Sequence, residues 1–120
     1  MRAMPNRWKP NVTVAAIIER DGRFLLVEED TADGLRLNNP AGHLDPGESP
    51  IEACVREVLE ETGIDSRADG CVLRDWNLEN VYSIYPQWLH RYEPGVRENR
   101  ERIFSLQVPF GTQVVLNPRE

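Results

Sequence analysis

The stretch running from Ser49 to Gly63 is written for one conformation, and it limits what the rest of the chain can build around it. Ser49 is an N-cap residue, Glu52 three positions on completes a capping box, Pro50 suits the first helical position and Gly63 supplies the stop. The sequence therefore predicts a helix over residues 50–62. Ile51, Cys54, Val55, Val58 and Leu59 recur at the i, i+3, i+4, i+7, i+8 spacing of a single apolar stripe. Arg56, Glu57, Glu60 and Glu61 fall on the other side, where four charges are expected to face solvent.

A helix with one apolar face needs a partner, and the flanking segments supply strands. Residues 11–18 and 24–27 read as antiparallel strands joined at Asp21-Gly22, a dipeptide that tight hairpin turns prefer. Residues 31–34 read as a polar loop, 35–38 as a short strand, Pro40-Ala41-Gly42 as a breaker and 42–49 as a loop. Downstream, residues 71–76, 81–85, 88–92, 102–108 and 113–116 have strand composition, with a polar stretch over 94–101. Strands on both sides of one long amphipathic helix indicate a mixed sheet with helix cover, an α/β or α+β domain.

At 120 residues and 40% hydrophobic, the chain has the size of a single domain, residues 1–120. Its formal charge of −6, from 14 Lys and Arg against 20 Asp and Glu, argues against duplex nucleic acid as a partner, because phosphate binding is dominated by basic side chains. No apolar run reaches the roughly 20 residues of a membrane span. The polar start has none of the character of a secretory signal, so a cytoplasmic location is expected. Cys54 and Cys71, with no CxxC partner, read as two buried thiols of a reducing compartment.

The acidic residues are unevenly placed. Glu57, Glu60 and Glu61 sit at i, i+3 and i+4 and converge within one helical turn, where like charges repel by a few tenths of a kcal/mol per pair. Either they form a solvated acidic face or something offsets the repulsion. Hard divalent cations such as Mg²⁺ take oxygen ligands and join carboxylates to substrate phosphates, so a triple-glutamate face beside a Gly-rich loop is a sensible place to hold metal-bound phosphate.

The loop and helix together read Gly42-His43-Leu44-Asp45-Pro46-Gly47-Glu48, seven residues, then Arg56-Glu57-Val58-Leu59-Glu60-Glu61-Thr62-Gly63-Ile64. This resembles the Nudix box, a Gly, five residues, a Glu, seven residues and Arg-Glu-apolar-x-Glu-Glu-x-Gly-apolar, with every fixed position matched. At residue frequencies of roughly 5–7%, seven fixed identities arise by chance on the order of once in 10⁹ positions. The resemblance implies an α/β/α sandwich around a mixed sheet. It also implies hydrolysis of a nucleoside diphosphate linked to another group, by water attacking phosphorus. It makes Glu57, Glu60 and Glu61 the ligands of Mg²⁺ or Mn²⁺, with an oxygen from the Gly42 carbonyl. Glu48 and Arg56 become supporting residues, the arginine orienting a glutamate. Glu57, Glu60 and Arg56 are the implied catalytic set, and Glu57 is the first choice of general base.

The remainder of the chain points to two subgroups of this family. Trp8-Lys9-Pro10-Asn11-Val12-Thr13-Val14-Ala15, Leu26-Val27-Glu28-Glu29 and Asn39-Pro40-Ala41-Gly42-His43-Leu44 are similar to phosphatases of nucleotides and of a thiamine-precursor pyrophosphate. His90-Arg91-Tyr92-Glu93-Pro94-Gly95-Val96, with Asn99, Glu101 and Phe104, resembles bacterial dihydroneopterin triphosphate pyrophosphohydrolases, which release pyrophosphate. His90, Arg91, Arg97, Arg100 and Arg102 are cations a triphosphate tail would need, or else the surface of a solvated hairpin. Trp88 and Tyr92 suit stacking on a pterin or nucleobase, or a place in the core. Tyr82 falls near the position of a tyrosine that marks diadenosine polyphosphate hydrolases, a loose criterion.

Asn117-Pro118-Arg119-Glu120 resembles the segment carrying an additional metal-binding glutamate in the pterin enzymes, which would be Glu120. Members of the family continue through a further strand and a helix. The expectation is thus a sandwich truncated before its C-terminal helix, whose uncovered apolar sheet favours a homodimer or low stability. The leading expectation is an Mg²⁺-dependent pyrophosphohydrolase acting on a small-molecule polyphosphate, with dihydroneopterin triphosphate first. A broad nucleoside di- or triphosphate phosphatase and a non-catalytic nucleotide-binding module are the alternatives.

Overall fold

The computed structural model describes residues 12–31, 34–83 and 98–116. In chain order these form strands β1 (Val12–Arg20), β2 (Arg23–Leu25), β3 (Val27–Thr31), β4 (Gly34–Asn38) and β5 (Ala41–His43). Helix α1 (Pro50–Thr62) and strands β6 (Val72–Ser83) and β7 (Glu98–Gln107) follow. β1 organises the main sheet. On one edge it pairs antiparallel with β5 through Thr13 to Ala15 and with β2 through Ile18 to Arg20. On the other it pairs in parallel with β7, which in turn carries β6 antiparallel. The result is a mixed sheet in the order β2-β1-β7-β6 with β5 also on β1, covered among the described residues by one helix, the α/β class read from the sequence.

Where the chain turns, local chemistry decides. Asp21 and Gly22 hold φ of 51° and 79°, the left-handed pair that a two-residue hairpin of matching twist requires. The apolar run 24–27 is not one strand. Leu26 separates β2 from β3, and β3 leaves the main sheet to form a two-stranded ribbon with β4. Thr31 and Gly34, the two ends of the segment read as a loop, pair with each other across that ribbon, and the residues between them lie outside the described residues. Residues 41–43, read as part of a breaker and loop, are a strand, because Pro40 keeps its carbonyl for the Ala16 amide (2.9 Å) and sets the following residues beside β1.

Downstream, the segments read as separate strands at 71–76 and 81–85 are joined over residues 72–83 in one strand, bent at a bulge between Asp75 and Leu78, while residues 84 and 85 lie outside the described residues. Asn77 absorbs the two extra residues with φ 52°, a conformation Asn tolerates better than most, and its amide donates to Asp75 Oδ1 at 2.8 Å. Residues 113–116 form no strand. The Val115 amide instead caps the Thr62 carbonyl at 2.7 Å, and Arg20 Nη1 reaches the Thr112 carbonyl at 3.1 Å. The segment 88–92 lies outside the described residues.

Helix α1 begins and ends as its sequence dictates, with the reciprocal Ser49–Glu52 capping box and Gly63 at φ 75°. Its buried face, however, is Ala53, Cys54, Val58 and Thr62. Ile51 and Leu59, assigned to the apolar stripe, are 40% and 49% exposed and lie at its margins. Ala53 is fully buried in the core, and Thr62 turns its hydroxyl back to the Val58 carbonyl at 2.6 Å. Beneath the helix lie Val14, Ala16 and Ile18 of β1 with Phe104 and Leu106 of β7, closed by Ile64. Because laterally paired residues point to the same side of a sheet, the pairs Ala16–Phe104 and Ile18–Leu106 define the helix-covered face.

Candidate active site

The loop between β5 and α1 folds back on the helix through Arg56. Its Nε lies 2.7 Å from Glu48 Oε2 and its Nη2 lies 3.0 Å from Glu48 Oε1, a fork-to-fork pair of the kind only a planar guanidinium makes. Nη2 also donates to the His43 carbonyl at 2.9 Å, tying the end of β5 to the helix. Nη1 donates to Glu57 Oε2 at 3.0 Å and to Glu60 Oε1 at 3.1 Å, and Asp45 Oδ2 lies 3.1 Å from Nε. Glu48 in addition accepts from the Asp45 amide at 2.8 Å. One cation thus touches four carboxylates and one main-chain carbonyl, and its N–H groups fix their orientation.

The electrostatics follow from this placement. The Arg56 guanidinium holds the Glu48 carboxyl below the usual carboxylate range, and Arg56 itself is pushed up chiefly by Glu48. Glu57 moves the other way. Burial raises its pKa, and this outweighs the hydrogen bond with the Glu61 carboxyl and the attraction of Arg56. The four charges read as facing solvent therefore do not share one environment: Arg56, Glu57 and Glu61 are partly buried and Glu60 is exposed. The reason is β5, which runs beside the helix. A Cβ placed on Gly42 would stand 2.0 Å from Glu57 Oε2, so the carboxylate occupies the space that glycine leaves open.

These residues fit a hard divalent cation in their chemistry. The donors are all oxygen, three carboxylates within one helical turn and a main-chain carbonyl at Gly42, and the metal-free cluster carries more negative charge than Arg56 neutralises. They are not gathered in advance. Among the described residues no three His, Cys, Asp or Glu side chains already form a metal-holding group. Glu60 is engaged by Arg56 and Glu57 by Arg56 and Glu61, so a cation would compete with the guanidinium and with the shared carboxyl contact.

Of the cations expected to meet a polyphosphate, Arg100 and Arg102 lie in β7 and neither stands alone. Arg100 Nη1 is 3.5 Å from Glu79 Oε1. Arg102 makes a two-pronged contact with Asp75, Nε to Oδ1 and Nη2 to Oδ2 at 3.1 Å each, and Nη2 also reaches Asn77 Oδ1 at 3.0 Å. His90, Arg91, Tyr92, Arg97 and Glu120 lie outside the described residues, as does Trp88. Two participants went unrecognised in the sequence. Asp45 sits inside the loop motif, and its proximity to Arg56 could have been inferred from the return of that loop. Asp75 carried no signal, because its role depends on a bulge that composition does not reveal.

The two cysteines are free, and of the pair read as buried only Cys54 is, Cys71 being half-buried. Cys54 is buried in the core and its thiol is pushed up to about 12, first by burial and then by the charges of Asp75 and Glu57. Among the described residues, no helix is long and apolar enough to cross a membrane.

Comparison with known proteins places this arrangement. The NUDIX domain family matches residues 7–113. Phosphatase NudJ of Escherichia coli K12 is 51% identical over 61 residues, a stretch that covers 50% of this chain and 39% of that protein. The chain thus accounts for well under half the length of this relative. Among solved structures, the E. coli dihydroneopterin triphosphate pyrophosphohydrolase superposes with a TM-score of 0.75 at 29% identity, over 92% of this chain and 77% of that one. A NUDIX hydrolase from Nitrosomonas europaea gives 0.64 at 38% identity, over 90% and 70%. With the family match spanning most of its residues and the box folded around Arg56, this chain belongs to the Nudix family.

Proposed function

We propose that the protein is a Mg²⁺-dependent hydrolase of a small-molecule polyphosphate, adding one water across a P–O–P bridge so that a new P–O bond forms as the bridging bond breaks. The observation that carries this reading is the closed set of contacts from Arg56 to Glu48, Glu57 and Glu60, with Glu57 pressed against Gly42. Glu57, Glu60, Glu61 and the Gly42 carbonyl would hold the cation, and Glu48 and Arg56 would fix them. When bound, Mg²⁺ or Mn²⁺ supplies neutralisation of phosphoryl charge and a more acidic water. Glu57 takes the proton from the attacking water, a role suited to a carboxylate whose burial raises its proton affinity. Arg56 keeps the glutamates oriented while the charge around them changes. Glu120 would add a ligand from the end of the chain.

Dihydroneopterin triphosphate is the leading substrate, with pyrophosphate released, supported by the solved pterin enzyme at TM-score 0.75. His90, Arg91, Tyr92, Arg97, Arg100 and Arg102 would bind it. A second reading, a nucleoside di- or triphosphate phosphatase, is favoured by the 51% identity to NudJ over 61 residues. The intact box argues for an enzyme over a binding module. The same proposal places the protein in the cytoplasm. It also includes self-association through apolar side chains such as Trp76 and Leu78, which are 52% and 53% exposed. A product assay in Mg²⁺ separates the readings: pyrophosphate from dihydroneopterin triphosphate supports the first, orthophosphate from nucleotides the second, and no turnover of either rejects both.

A further inference from the structure

The sheet has a second face, turned away from α1, and the strand register names its residues. Val14, Ala16 and Ile18 lie under the helix, so the alternate residues of β1, Thr13 and Ala15 among them, point the other way. Laterally paired residues share a side. Thr13 is opposite His43 of β5 and Glu101 of β7, and Glu101 is opposite Asn80 of β6. One repeat along the strands, about 7 Å, the paired Ala15 and Ile103 give an apolar surface. The outer face at this end thus sets a carboxylate beside an apolar floor.

That carboxylate is not an ordinary surface charge. Glu101 is half-buried, and burial raises its carboxyl above the usual range against the hydrogen bond with the Asn80 side chain. Its neighbours in the strand, Arg100 and Arg102, point to the helix side and pair with Glu79 and Asp75. Among the described residues no ion pair involves Glu101. A carboxylate accepts about four hydrogen bonds, and one held partly out of water with few of them made is costly, so a ligand bearing N–H donors offsets that cost. Beside it, Thr13 is buried and its hydroxyl accepts from Asn99 Nδ2 at 2.8 Å, which fixes the adjoining surface.

Gly42 and His43 are consecutive in β5 and face opposite sides. Gly42 meets Glu57, whereas the exposed His43 lies in the row of Glu101. Among the described residues β5 pairs only with β1, so the two faces meet at its edge. Two strand spacings separate the His43 and Glu101 backbones by about 10 Å. A ring on the outer face, with its phosphate chain turning round β5, reaches both Glu101 and the glutamates without passing beneath α1.

We propose that Glu101, oriented by Asn80, reads the ring of the substrate. Its carboxylate accepts two bonds, from an amino group and from the adjacent ring N–H, an edge that guanine and pterins share, while the ring rests on Ala15 and Ile103. This rests on the hydrolase reading above. The test compares wild type, Glu101→Gln and Glu101→Asp by kcat and KM in Mg²⁺ on guanosine triphosphate and on inosine triphosphate, which lacks only the amino group. Wild type should favour the guanosine compound by about tenfold or more in kcat/KM, mainly through KM, because a site built to accept a hydrogen bond rejects the analogue without the donor. Glu101→Gln, which replaces an acceptor oxygen by a donor, should bring the two substrates within about twofold, and Glu101→Asp should lie between. A wild-type ratio within twofold, or a ratio unchanged in Glu101→Gln, overturns the proposal. If Glu101→Gln does not fold by circular dichroism, Glu101→Asp decides by the same criteria. An enzyme that accepts only dihydroneopterin triphosphate is judged on that substrate, whose KM should rise about tenfold in Glu101→Gln and, if unmoved, counts against the assignment. In parallel, guanosine, inosine and neopterin are titrated with EDTA present by ligand-observed NMR. Guanosine or neopterin should bind more tightly than inosine and lose that advantage in Glu101→Gln, and the tighter of the two tells a nucleobase from a pterin. A wild type that turns over nothing rejects the hydrolase reading, and the titration then decides Glu101 by itself, with no binding, or binding indifferent to Glu101→Gln, overturning its role.

Discussion

The Glu57 carboxylate fills the space where any side chain on residue 42 would begin, with Oε2 2.0 Å and Oε1 2.7 Å from the Cβ that Gly42 lacks. Glycine at 42 is therefore a condition on where Glu57 points. Gly42→Ala should displace the carboxylate and lower hydrolysis by about a hundredfold, the scale of losing a positioned acid–base group. The overpacking should cost about 1–3 kcal/mol, read as a lowered unfolding midpoint in urea. Activity close to wild type would show that Glu57 need not stand against β5.

Arg56 holds the loop to the helix. Arg56→Ala leaves Glu48 and Glu57 facing each other without their cation, and should destabilise the metal-free protein by about 2 kcal/mol. Arg56→Lys should recover little, because an ammonium cannot make both contacts to Glu48 while reaching Glu57. Chemical denaturation of the three proteins measures this.

The two glutamates have opposite pH signatures. Glu48 titrates below its ordinary value when folded, so its contribution is fully present above about pH 4.5 and is lost as pH falls through the folded pKa. Glu48→Gln should accordingly be destabilising at pH 7 and converge with wild type in acid. Glu57 titrates above its ordinary value when folded, so its ionisation works against folding once the pH exceeds the unfolded pKa. Glu57→Gln should therefore melt higher than wild type at pH 7 in EDTA, and should gain less from added Mg²⁺. Melting curves of both variants across pH 3–8, with and without Mg²⁺, follow the two signs.

At the far end of the helix, Gly63→Ala should lose about 1–2 kcal/mol, the cost of a left-handed residue with a side chain. The φ of 75° is unfavourable for Ala, and the new methyl would stand 3.1 Å from Val115 Cβ. Because residue 63 lies outside the carboxylate cluster, the variant should keep its kcat at temperatures where it is folded, which steady-state kinetics at low temperature can check.

The helix and its loop were legible because their signals are local: capping residues, a proline at the first turn and fixed spacing of charges within a few residues of one another. The side of the helix that is buried was less so. Ala53 and Thr62, which hydrophobicity alone ranks behind Ile51 and Leu59, are buried by tertiary packing, Thr62 at the point where the Val115 amide meets its carbonyl. β5 was hidden because three residues containing a Gly give no strand signal, and they form a strand only because β1 offers an open edge. The continuity of β6 was hidden by its bulge, and with it the pairing of Arg102 with Asp75, which joins residues 27 positions apart in sequence. The glutamates could be named from the sequence, but the different environments of Glu57 and Glu60 depend on Gly42, a contact made across the fold.

The central claim is that the glutamates of this helix carry a metal-dependent hydrolysis. It is tested most directly by measuring turnover of dihydroneopterin triphosphate and nucleoside triphosphates in Mg²⁺ by wild type, Glu57→Gln and Glu60→Gln, with unfolding curves confirming that each is folded. The account predicts Mg²⁺-dependent turnover by wild type that falls by about a hundredfold or more in both variants. Wild-type rates retained in both would contradict it.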